Sequence, residues 1–427
     1  MSNSADFATQ GSLKDYLKLS STDLSRKADE FHEWELSRLK SGLWSWGKSL
    51  MTAPGTTASV KYLDQSTYTG VNFLSQDYLS LSSHPLIKEA AIEAIHTFGV
   101  HSAGSTALAG NVGYGNLVEQ EVSSMLHMEQ VILFPTGWSA GYGVCKALVR
   151  AEDYVVIDLL AHNCLQEGAR SATNNVYQYR HLDVSHAKKY LARIRKTDTK
   201  NGILLITESL FSMDSDTPNI KLLQEVCHEY NATLLIDVAH DFGCMGVDGT
   251  GHIGLQGLLG RVDLVMGSFS KTFASNGGFV ATKKESVKEY LRYYAPSNTF
   301  SNALSPIQIA IIKKALEIVR STEGIELRNQ LMYAVKSIRS HLLENGIEVM
   351  GNPSPIVPVM IGSEKIVRYV SKLLAESGVL VNPVEYPAVS VNTARLRLQL
   401  MSSHNVEICQ QAANIIAKAF TTVKSSL

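Results

Sequence analysis

Five short apolar runs constrain the fold of this chain more than any other feature of its sequence. They are VILF at 131–134, YVVID at 154–158, ILLIT at 203–207, TLLID at 233–237 and DLVMG at 263–267. Helical stretches separate them from about residue 85 onward. Runs that are apolar throughout, rather than alternating, are typical of parallel strands covered on both faces. The sequence therefore predicts an α/β domain with a mostly parallel sheet, whose chemistry lies at the carboxyl ends of the strands.

Around this sheet the sequence predicts two further parts. The chain has 427 residues, 45% of them hydrophobic, which is enough for a large domain and a smaller one with separate cores. Residues 13–50 have apolar side chains near helical spacing. Ser305 and Pro306 are a favoured cap and first residue for a helix that reaches about Ser321. We therefore expect a helical arm over 1–60, a large α/β domain over 61–304, and linking helices with a smaller C-terminal α+β domain over 305–427.

Composition argues against several kinds of partner. Lys and Arg total 39 against 40 Asp and Glu, so no broad basic field suggests a nucleic acid or a polybasic membrane contact. No apolar run approaches the roughly 18 residues of a transmembrane segment, and residues 1–16 are polar, so a cytoplasmic location is the default expectation. Five cysteines without a CxxC pair are expected to be reduced, with no metal site.

The segment GSFSKTF at 267–273 is the most informative for chemistry. Lys271 directly follows a predicted strand among small and hydroxyl residues. Its amine could form a Schiff base, while Ser268 and Ser270 bond a phosphate. Taken alone, such a lysine is more often a solvated charge in a loop, so the interpretation depends on other residues.

Asp237 ends the TLLID run, and His240 follows shortly after it. A carboxylate beside a pyridine nitrogen keeps that nitrogen protonated, and the ring then draws electrons from a substrate carbanion. Asp237 could equally cap the next turn, and His240 could be a buried histidine with satisfied hydrogen bonds. The later Lys271 favours the chemical interpretation of both residues.

Two other strand ends carry candidate binding groups. Thr136, Gly137 and Trp138 follow the VILF run and precede a helix predicted from near Ser139, whose N-terminus could bind a phosphate. A turn made only for chain reversal would use the same residues. His162 follows the YVVID run, and its flat imidazole could stack on a cofactor ring, although a single histidine is more often structural.

ARLRLQLMSSH at 394–404 puts Arg395 and Arg397 on one face of a probable C-terminal strand. One guanidinium pointing into a cleft would bind a substrate carboxylate with two parallel hydrogen bonds. Without the other motifs, a surface pair of arginines is the simpler interpretation.

These residues, in this order, resemble the α-oxoamine synthases, a family of fold-type I pyridoxal-phosphate enzymes. The likeness runs from about Asn72 to His404. NFLSQDYLSLSSHP at 72–85 resembles the family's entry motif around an Asn-Tyr-Leu-Gly-Leu core, and LFSMDSD at 210–216 is very close to Phe-Ser-Met-Asp-Gly-Asp. The family includes aminooxononanoate synthase, aminolevulinate synthase, glycine C-acetyltransferase and serine palmitoyltransferase.

The resemblance implies a fold and a cofactor site. The fold would be that of the fold-type I transferases, a large domain with a mostly parallel sheet between helices plus a smaller C-terminal α+β domain. Lys271 would hold pyridoxal 5'-phosphate as a Schiff base and take the α-proton, with Asp237 on the pyridine nitrogen and His240 on the ring oxygen. The other cofactor contacts would be His162 on the ring face, Ser212 near the cofactor and Ser268 on the phosphate.

The resemblance also implies a second subunit and a substrate ligand. TFSNALSP at 299–306 resembles a segment that family members donate across a dimer interface, so Ser301, with Asn302 beside it, would reach the partner's phosphate. A homodimer with shared active sites is expected. Arg397 matches the family's carboxylate-binding arginine, with Arg395 as the alternative.

Two departures from the family pattern leave the acyl donor open. The usual Asp-Glu-Ala-His-Ser is DVAHD at 237–241, and TA at 106–107 stands where most members carry an arginine. Both changes fall where the resemblance places the acyl chain and its thiol carrier. SQDYLSLSSHP and HNCLQEGAR are also similar to the quorum-sensing autoinducer synthases, which depart at the same place.

The leading hypothesis is an acyltransferase that condenses a small α-amino acid with an acyl thioester, from coenzyme A or a carrier protein, to an α-amino ketone with decarboxylation. An aminotransferase on the same cofactor is the alternative, because one fold hosts many chemistries. A catalytically silent subunit is the third hypothesis, and the intact Lys271, Asp237 and His240 argue against it.

Overall fold

The computed structural model describes residues 4–17 and 22–426. They form two compact units. The large unit contains Leu79–Ser212 and Asp216–Arg328. The small unit contains the described residues up to Tyr78, the short segment Met213–Ser215, and the chain from Asn329 onward. The sequence-based domain limits, after residues 60 and 304, stay a prediction.

The strands and helices are numbered here in chain order over the described residues. The strands are β1 (Ser49–Leu50), β2 (Thr57–Lys61), β3 (Thr67–Asn72), β4 (Gln130–Phe134), β5 (Tyr154–Asp158), β6 (Val176–Tyr179), β7 (Ile203–Glu208), β8 (Thr233–Asp237), β9 (Leu264–Ser268), β10 (Gly278–Thr282), β11 (Ile356–Gly362), β12 (Val379–Leu380), β13 (Asn382–Val384) and β14 (Ala394–Gln399). The helices are α1 (Ser4–Thr9), α2 (Asp29–Lys40), α3 (Pro85–Phe98), α4 (Tyr114–Leu126), α5 (Gly137–Leu148), α6 (Asn163–Ala172), α7 (Val184–Thr197), α8 (Ile220–Glu229), α9 (Gly251–Leu255), α10 (Glu285–Tyr294), α11 (Pro296–Thr299), α12 (Pro306–Arg320), α13 (Thr322–Glu344), α14 (Glu364–Glu376) and α15 (Val406–Ser426).

A seven-stranded sheet, in the order β4-β10-β9-β8-β7-β5-β6, forms the centre of the large unit as described. β10 runs antiparallel to both of its neighbours, and the other strands run parallel to one another. The five apolar runs of the sequence become β4, β5, β7, β8 and β9, so the prediction of a mostly parallel sheet is confirmed. β6 was missed because its VYQY segment is short and only partly buried.

Helices α5 and α6 pack on this sheet. Val144 and Cys145 of α5, with Leu165 of α6, share a buried apolar cluster with strand residues such as Ile157 and Ile206. Burying a side chain of this size stabilises a fold by about 1.5–3 kcal/mol. The packing fixes the start of each helix beside the carboxyl end of a strand, which is where the candidate residues lie.

The long helix α12 begins where the sequence predicted. The Ser305 hydroxyl accepts a hydrogen bond from the Gln308 N–H at 3.3 Å, and the Gln308 side chain accepts one from the Ser305 N–H at 3.0 Å. This reciprocal pair is a capping box, with Pro306 as the first helical residue. The helix ends at Arg320, one residue before the predicted end.

Two smaller sheets belong to the small unit. One has the order β1-β2-β3-β12, and the other the order β11-β14-β13. In the second sheet β14 is antiparallel to both neighbours, and its Leu396 and Leu398 are fully buried. The second sheet, together with α14 and α15, forms the α+β C-terminal part that the sequence predicted, whereas the first sheet takes three of its strands from residues 49–72.

The helical prediction for residues 13–50 is confirmed only in part. A regular α-helix covers Asp29–Lys40, residues 49–50 form β1, and residues 18–21 lie outside the described part of the chain. The Arg38 guanidinium is buried, lies 4.8 Å from the ring centroid of Trp34, and pairs with Glu385 at 3.4 Å.

None of the described helices is long and apolar enough to cross a membrane.

Candidate active site

Asp237, Lys271 and His162 act on one another at the carboxyl ends of the central strands. Asp237 is the last residue of β8 and only 5% exposed, and its Oδ1 accepts a hydrogen bond from the Ala239 N–H at 2.8 Å. Burial raises the pKa of the Asp237 carboxyl, while Lys271 first and His162 second oppose that rise. The folded chain therefore brings three of the predicted residues into one electrostatic group.

Glu208 belongs to the same group, and the sequence analysis missed it. It is the last residue of β7, 3% exposed, and pairs in register with Asp237. Its Oε1 accepts a hydrogen bond from the His162 N–H at 2.6 Å. Burial first, and the nearby Asp237 charge second, raise the pKa of Glu208 well above its usual range. An acidic residue that ends a buried strand was the available signal, as it was for Asp237.

His162 is the N-cap residue of α6, and its ring is exposed. The ring Nδ1 accepts a hydrogen bond from the Cys164 N–H at 3.3 Å and lies 3.1 Å from the Cys164 sulfur. Burial raises the pKa of that thiol, so Cys164 stays neutral and packs rather than reacts. The cap and the Glu208 bond together fix the position of the imidazole.

The start of α5 closely approaches the end of β9. Thr136 caps α5 by accepting the Ser139 N–H at 3.0 Å. A Cβ atom on Gly137 would lie 2.5 Å from the Ser268 Cβ, so only glycine fits against that serine. The Ser268 hydroxyl lies 2.6 Å from the Ser270 hydroxyl. Two hydroxyls and a helix N-terminus thus meet at the position predicted for a phosphate.

Trp138 follows in the first turn of α5. Its ring stacks on Tyr142 with the centroids 5.2 Å apart, and its Nε1 donates to the Asn163 side chain at 3.4 Å. The indole remains about half exposed. It therefore presents an aromatic face beside the start of α6, which carries His162.

His240 and Asp241 lie in the turn after β8, and both are buried. The Asp241 carboxylate accepts hydrogen bonds from the Ser209 hydroxyl at 2.7 Å and from the His252 N–H and Nδ1 at 2.7 and 2.8 Å. Asp241 therefore anchors the turn that holds His240. The expectation that this departure from the family pattern bears on the acyl donor stays a prediction.

The segment predicted to reach a second subunit lies beside the other departure from the family pattern. The Thr106 hydroxyl donates to the Asn298 side chain at 3.0 Å, and the Ala303 N–H donates to the Gly104 carbonyl at 3.0 Å. Ser301 is half-buried, and the Phe300 ring next to it is 87% exposed. The segment is thus fixed at its base and presents an apolar side chain outward.

In the small unit, the two candidate arginines of β14 differ in their partners. Arg395 forms an ion pair with Asp214 at 2.6 Å and donates to the Met213 carbonyl at 3.0 Å. Arg397 lies in the middle of β14 and contacts the Met213 sulfur at 3.6 Å. Burial lowers the pKa of Arg397. Arg395 therefore has a structural role, and the expectation that Arg397 binds the substrate carboxylate stays a prediction.

Comparison with known proteins shows the family of this chain. The family model for aminotransferase class I and II matches residues 68–416. A serine palmitoyltransferase from Sphingobacterium spiritivorum is 34% identical over 348 residues, which cover 82% of this chain and 86% of that protein. An 8-amino-7-oxononanoate synthase from Trichlorobacter lovleyi is 33% identical over 347 residues, which cover 81% and 88%.

Solved structures share the fold. A serine palmitoyltransferase from Sphingomonas wittichii matches with a TM-score of 0.88 at 23% identity, over 95% of this chain and 100% of that one. A structure of SPT with a PLP internal aldimine matches with a TM-score of 0.87 at 25% identity, over 94% and 99%. The predicted fold class, a fold-type I transferase, is confirmed. The chain belongs to the aminotransferase class I and II family and, within it, to the α-oxoamine synthases, which are pyridoxal-phosphate-dependent acyltransferases.

Proposed function

We propose that this enzyme condenses a small α-amino acid with an acyl thioester to give an α-amino ketone, with loss of the amino acid carboxyl as carbon dioxide. The observation that carries the proposal is the buried Asp237, on which Lys271 and His162 act electrostatically. Relatives that are named as a palmitoyltransferase and an oxononanoate synthase, each at least 33% identical, favour acyl transfer over transamination.

The residues of the large unit fit pyridoxal 5'-phosphate. A buried carboxylate suits the protonated pyridine nitrogen, and the surface at Gly137, which a Cβ atom would fill, suits the phosphate. Thr136, Trp138, Ser268 and Ser212 would complete the cofactor contacts. When bound, the cofactor withdraws electrons from the α-carbon of an attached amino acid.

Each side chain then has a defined task. Asp237 keeps a proton on the pyridine nitrogen, because its own charge is buried and benefits from a cationic neighbour. His162 covers the ring face from its capped position, and His240 bonds the ring oxygen. Lys271 holds the cofactor and takes the proton from the substrate α-carbon.

Arg397 would bind the carboxylate of the amino acid. Its guanidinium has five N–H donors in a planar fork, which matches a carboxylate with two parallel bonds. The structural partners of Arg395 support this choice over its neighbour. Because every α-amino acid carries this carboxylate, Arg397 would select for an amino acid rather than for a particular side chain.

The enzyme is also proposed to be a homodimer in which the 299–306 segment, through Ser301 and Asn302, reaches the partner's phosphate site. The apolar side chains of Phe300 and Leu108 are 87% and 83% exposed. They support a subunit interface on the side of the large unit that carries the 299–306 segment. Sedimentation of the purified protein tests this, and a monomer at micromolar concentration would contradict it.

The experiment for the reaction is a matrix of amino acids against acyl thioesters of increasing chain length. Free thiol, carbon dioxide and the amino ketone are measured for each pair. We expect all three products in equal amounts for one amino acid, and only when both substrates are present. An oxo acid formed from the amino acid without any thioester would show transamination instead.

A further inference from the structure

A histidine bridges two carboxylates at the carboxyl end of the large unit's sheet, outside the group around Asp237. The His181 Nδ1 lies 2.9 Å from the Asp158 Oδ1, and its Nε2 lies 3.2 and 3.1 Å from the two oxygens of Asp216. Asp158 ends β5 and is fully buried. Neither the proposed chemistry nor the cofactor contacts use any of these three side chains.

The bridge is charged and rigid. Carboxylates only accept hydrogen bonds, so an imidazole between two of them must donate from both nitrogens and carry a positive charge. Burial lowers the pKa of His181, but the bonds to Asp158 and Asp216 outweigh it and raise the pKa to about 10. Asp158 is itself fixed, because its oxygens also accept the Leu160 and Leu182 N–H groups at 2.9 and 3.0 Å.

The other end of the bridge is the turn that carries Ser212. The Phe211 N–H donates to the Asp216 carbonyl at 2.9 Å, which closes the turn. The Phe211 ring meets the His181 ring edge-on, with the centroids 4.5 Å apart and the planes at 87°. His181 therefore contacts both residues that close the turn, through a charge-assisted bond at Asp216 and an aromatic contact at Phe211.

We propose that His181 is a positioning residue, which holds the 211–216 turn against the end of β5 and thereby sets the place of Ser212 beside the cofactor. This inference rests on the proposed function, because it takes Ser212 to contact pyridoxal phosphate. His181 itself touches neither substrate nor cofactor. Its effect passes through Asp216 and Phe211 to the serine between them.

A double-mutant cycle on cofactor affinity tests this. Dissociation constants for pyridoxal phosphate are measured by absorbance titration for the wild type, His181→Gln, Ser212→Ala and the double variant, at a temperature where circular dichroism shows each to be folded. We expect each single change to weaken binding about tenfold, and the double variant to be no weaker than the weaker single variant, because both act at one point. Asp183→Asn, which alters a neighbouring helix cap, is the control and should bind as the wild type does.

Two results would overturn the inference. One is wild-type affinity in His181→Gln while Ser212→Ala is weakened, and the other is a double variant in which the two losses multiply. If Ser212→Ala binds pyridoxal phosphate as the wild type does, the proposed role of Ser212 fails. Hydrogen exchange at the amides of 211–216 then tests whether His181 holds the turn. Exchange there must be faster in His181→Gln than in Asp183→Asn, and equal rates would end the proposal. If His181→Gln does not fold, Asp216→Asn replaces it throughout, because it weakens the same contact from the other side.

Discussion

The carboxyl groups of Glu208 and Asp237 end two neighbouring parallel strands in register, and both are buried. Two such groups cannot both ionise at low cost, because each negative charge disfavours the other. Burial and the charge of Asp237 raise the pKa of Glu208 well above its usual range, whereas Lys271 and His162 limit the rise at Asp237. Of the two carboxyls, Glu208 is therefore the one shifted more strongly toward the protonated form.

This difference predicts unequal effects of two substitutions at Glu208. Glu208→Gln keeps an oxygen that accepts the His162 N–H and adds no charge, so stability and kcat should stay close to the wild type. Glu208→Ala removes the acceptor and leaves a buried N–H without it, which should cost about 1–3 kcal/mol of unfolding free energy. Urea denaturation measures both variants. A large loss in Glu208→Gln would mean that the carboxyl is charged.

The close approach of Gly137 to Ser268 predicts a selective loss of cofactor binding. Gly137→Ala would place a methyl group 2.5 Å from the Ser268 Cβ, so the phosphate surface must widen. We expect pyridoxal phosphate to bind at least about tenfold more weakly, which corresponds to about 1.4 kcal/mol. Absorbance titration measures the dissociation constant.

Gly115→Ala is the matched control. Gly115 lies in α4, and the nearest atom to its added Cβ would be on the Leu133 side chain at 3.8 Å, an ordinary van der Waals contact. It should bind cofactor normally and gain a few tenths to about 1 kcal/mol in stability, as alanine does in helices. Equal cofactor affinity in both variants would place the phosphate elsewhere.

The pH dependence of stability should show the His181 bridge. The folded-state pKa of about 10 is above the usual value of 6.5, so the stabilisation is complete below the usual value and is lost as the pH rises toward 10. The unfolding free energy of the wild type should therefore fall relative to that of His181→Gln between these limits. Urea melts at a series of pH values measure the difference, and a constant difference would contradict a charged bridge.

Much of this arrangement could be predicted because it is encoded locally. Asp237 ends an apolar run, Lys271 follows one, and Ser305 with Pro306 starts a helix, so each is visible within a few residues. Glu208 and Asp237 are paired in register only because β7 and β8 are neighbours in the sheet, and the strand order cannot be read from the sequence. The antiparallel strand β10 was missed for the same reason, since GFVAT carries no sign of its direction.

The His181 bridge was beyond prediction for a different reason. Its two carboxylates lie 23 and 35 residues away along the chain, one at the end of β5 and one at the end of the 211–216 turn. A histidine in RHLDV has no local mark that separates it from a surface residue. The role of Asp241 could not be predicted from the sequence either. Its hydrogen-bond donors, Ser209 and His252, are far from each other along the chain of the large unit.

The central claim is that Lys271 holds the cofactor and takes the α-proton in an acyl-transfer reaction. The most direct measurement is thiol release from an acyl thioester in the presence of the amino acid substrate, for Lys271→Ala and for Lys221→Ala, which changes an exposed lysine on α8. We predict that Lys271→Ala loses both thiol release and the visible absorption band of the bound cofactor, while Lys221→Ala keeps both. Thiol release at the wild-type rate in Lys271→Ala would contradict the claim.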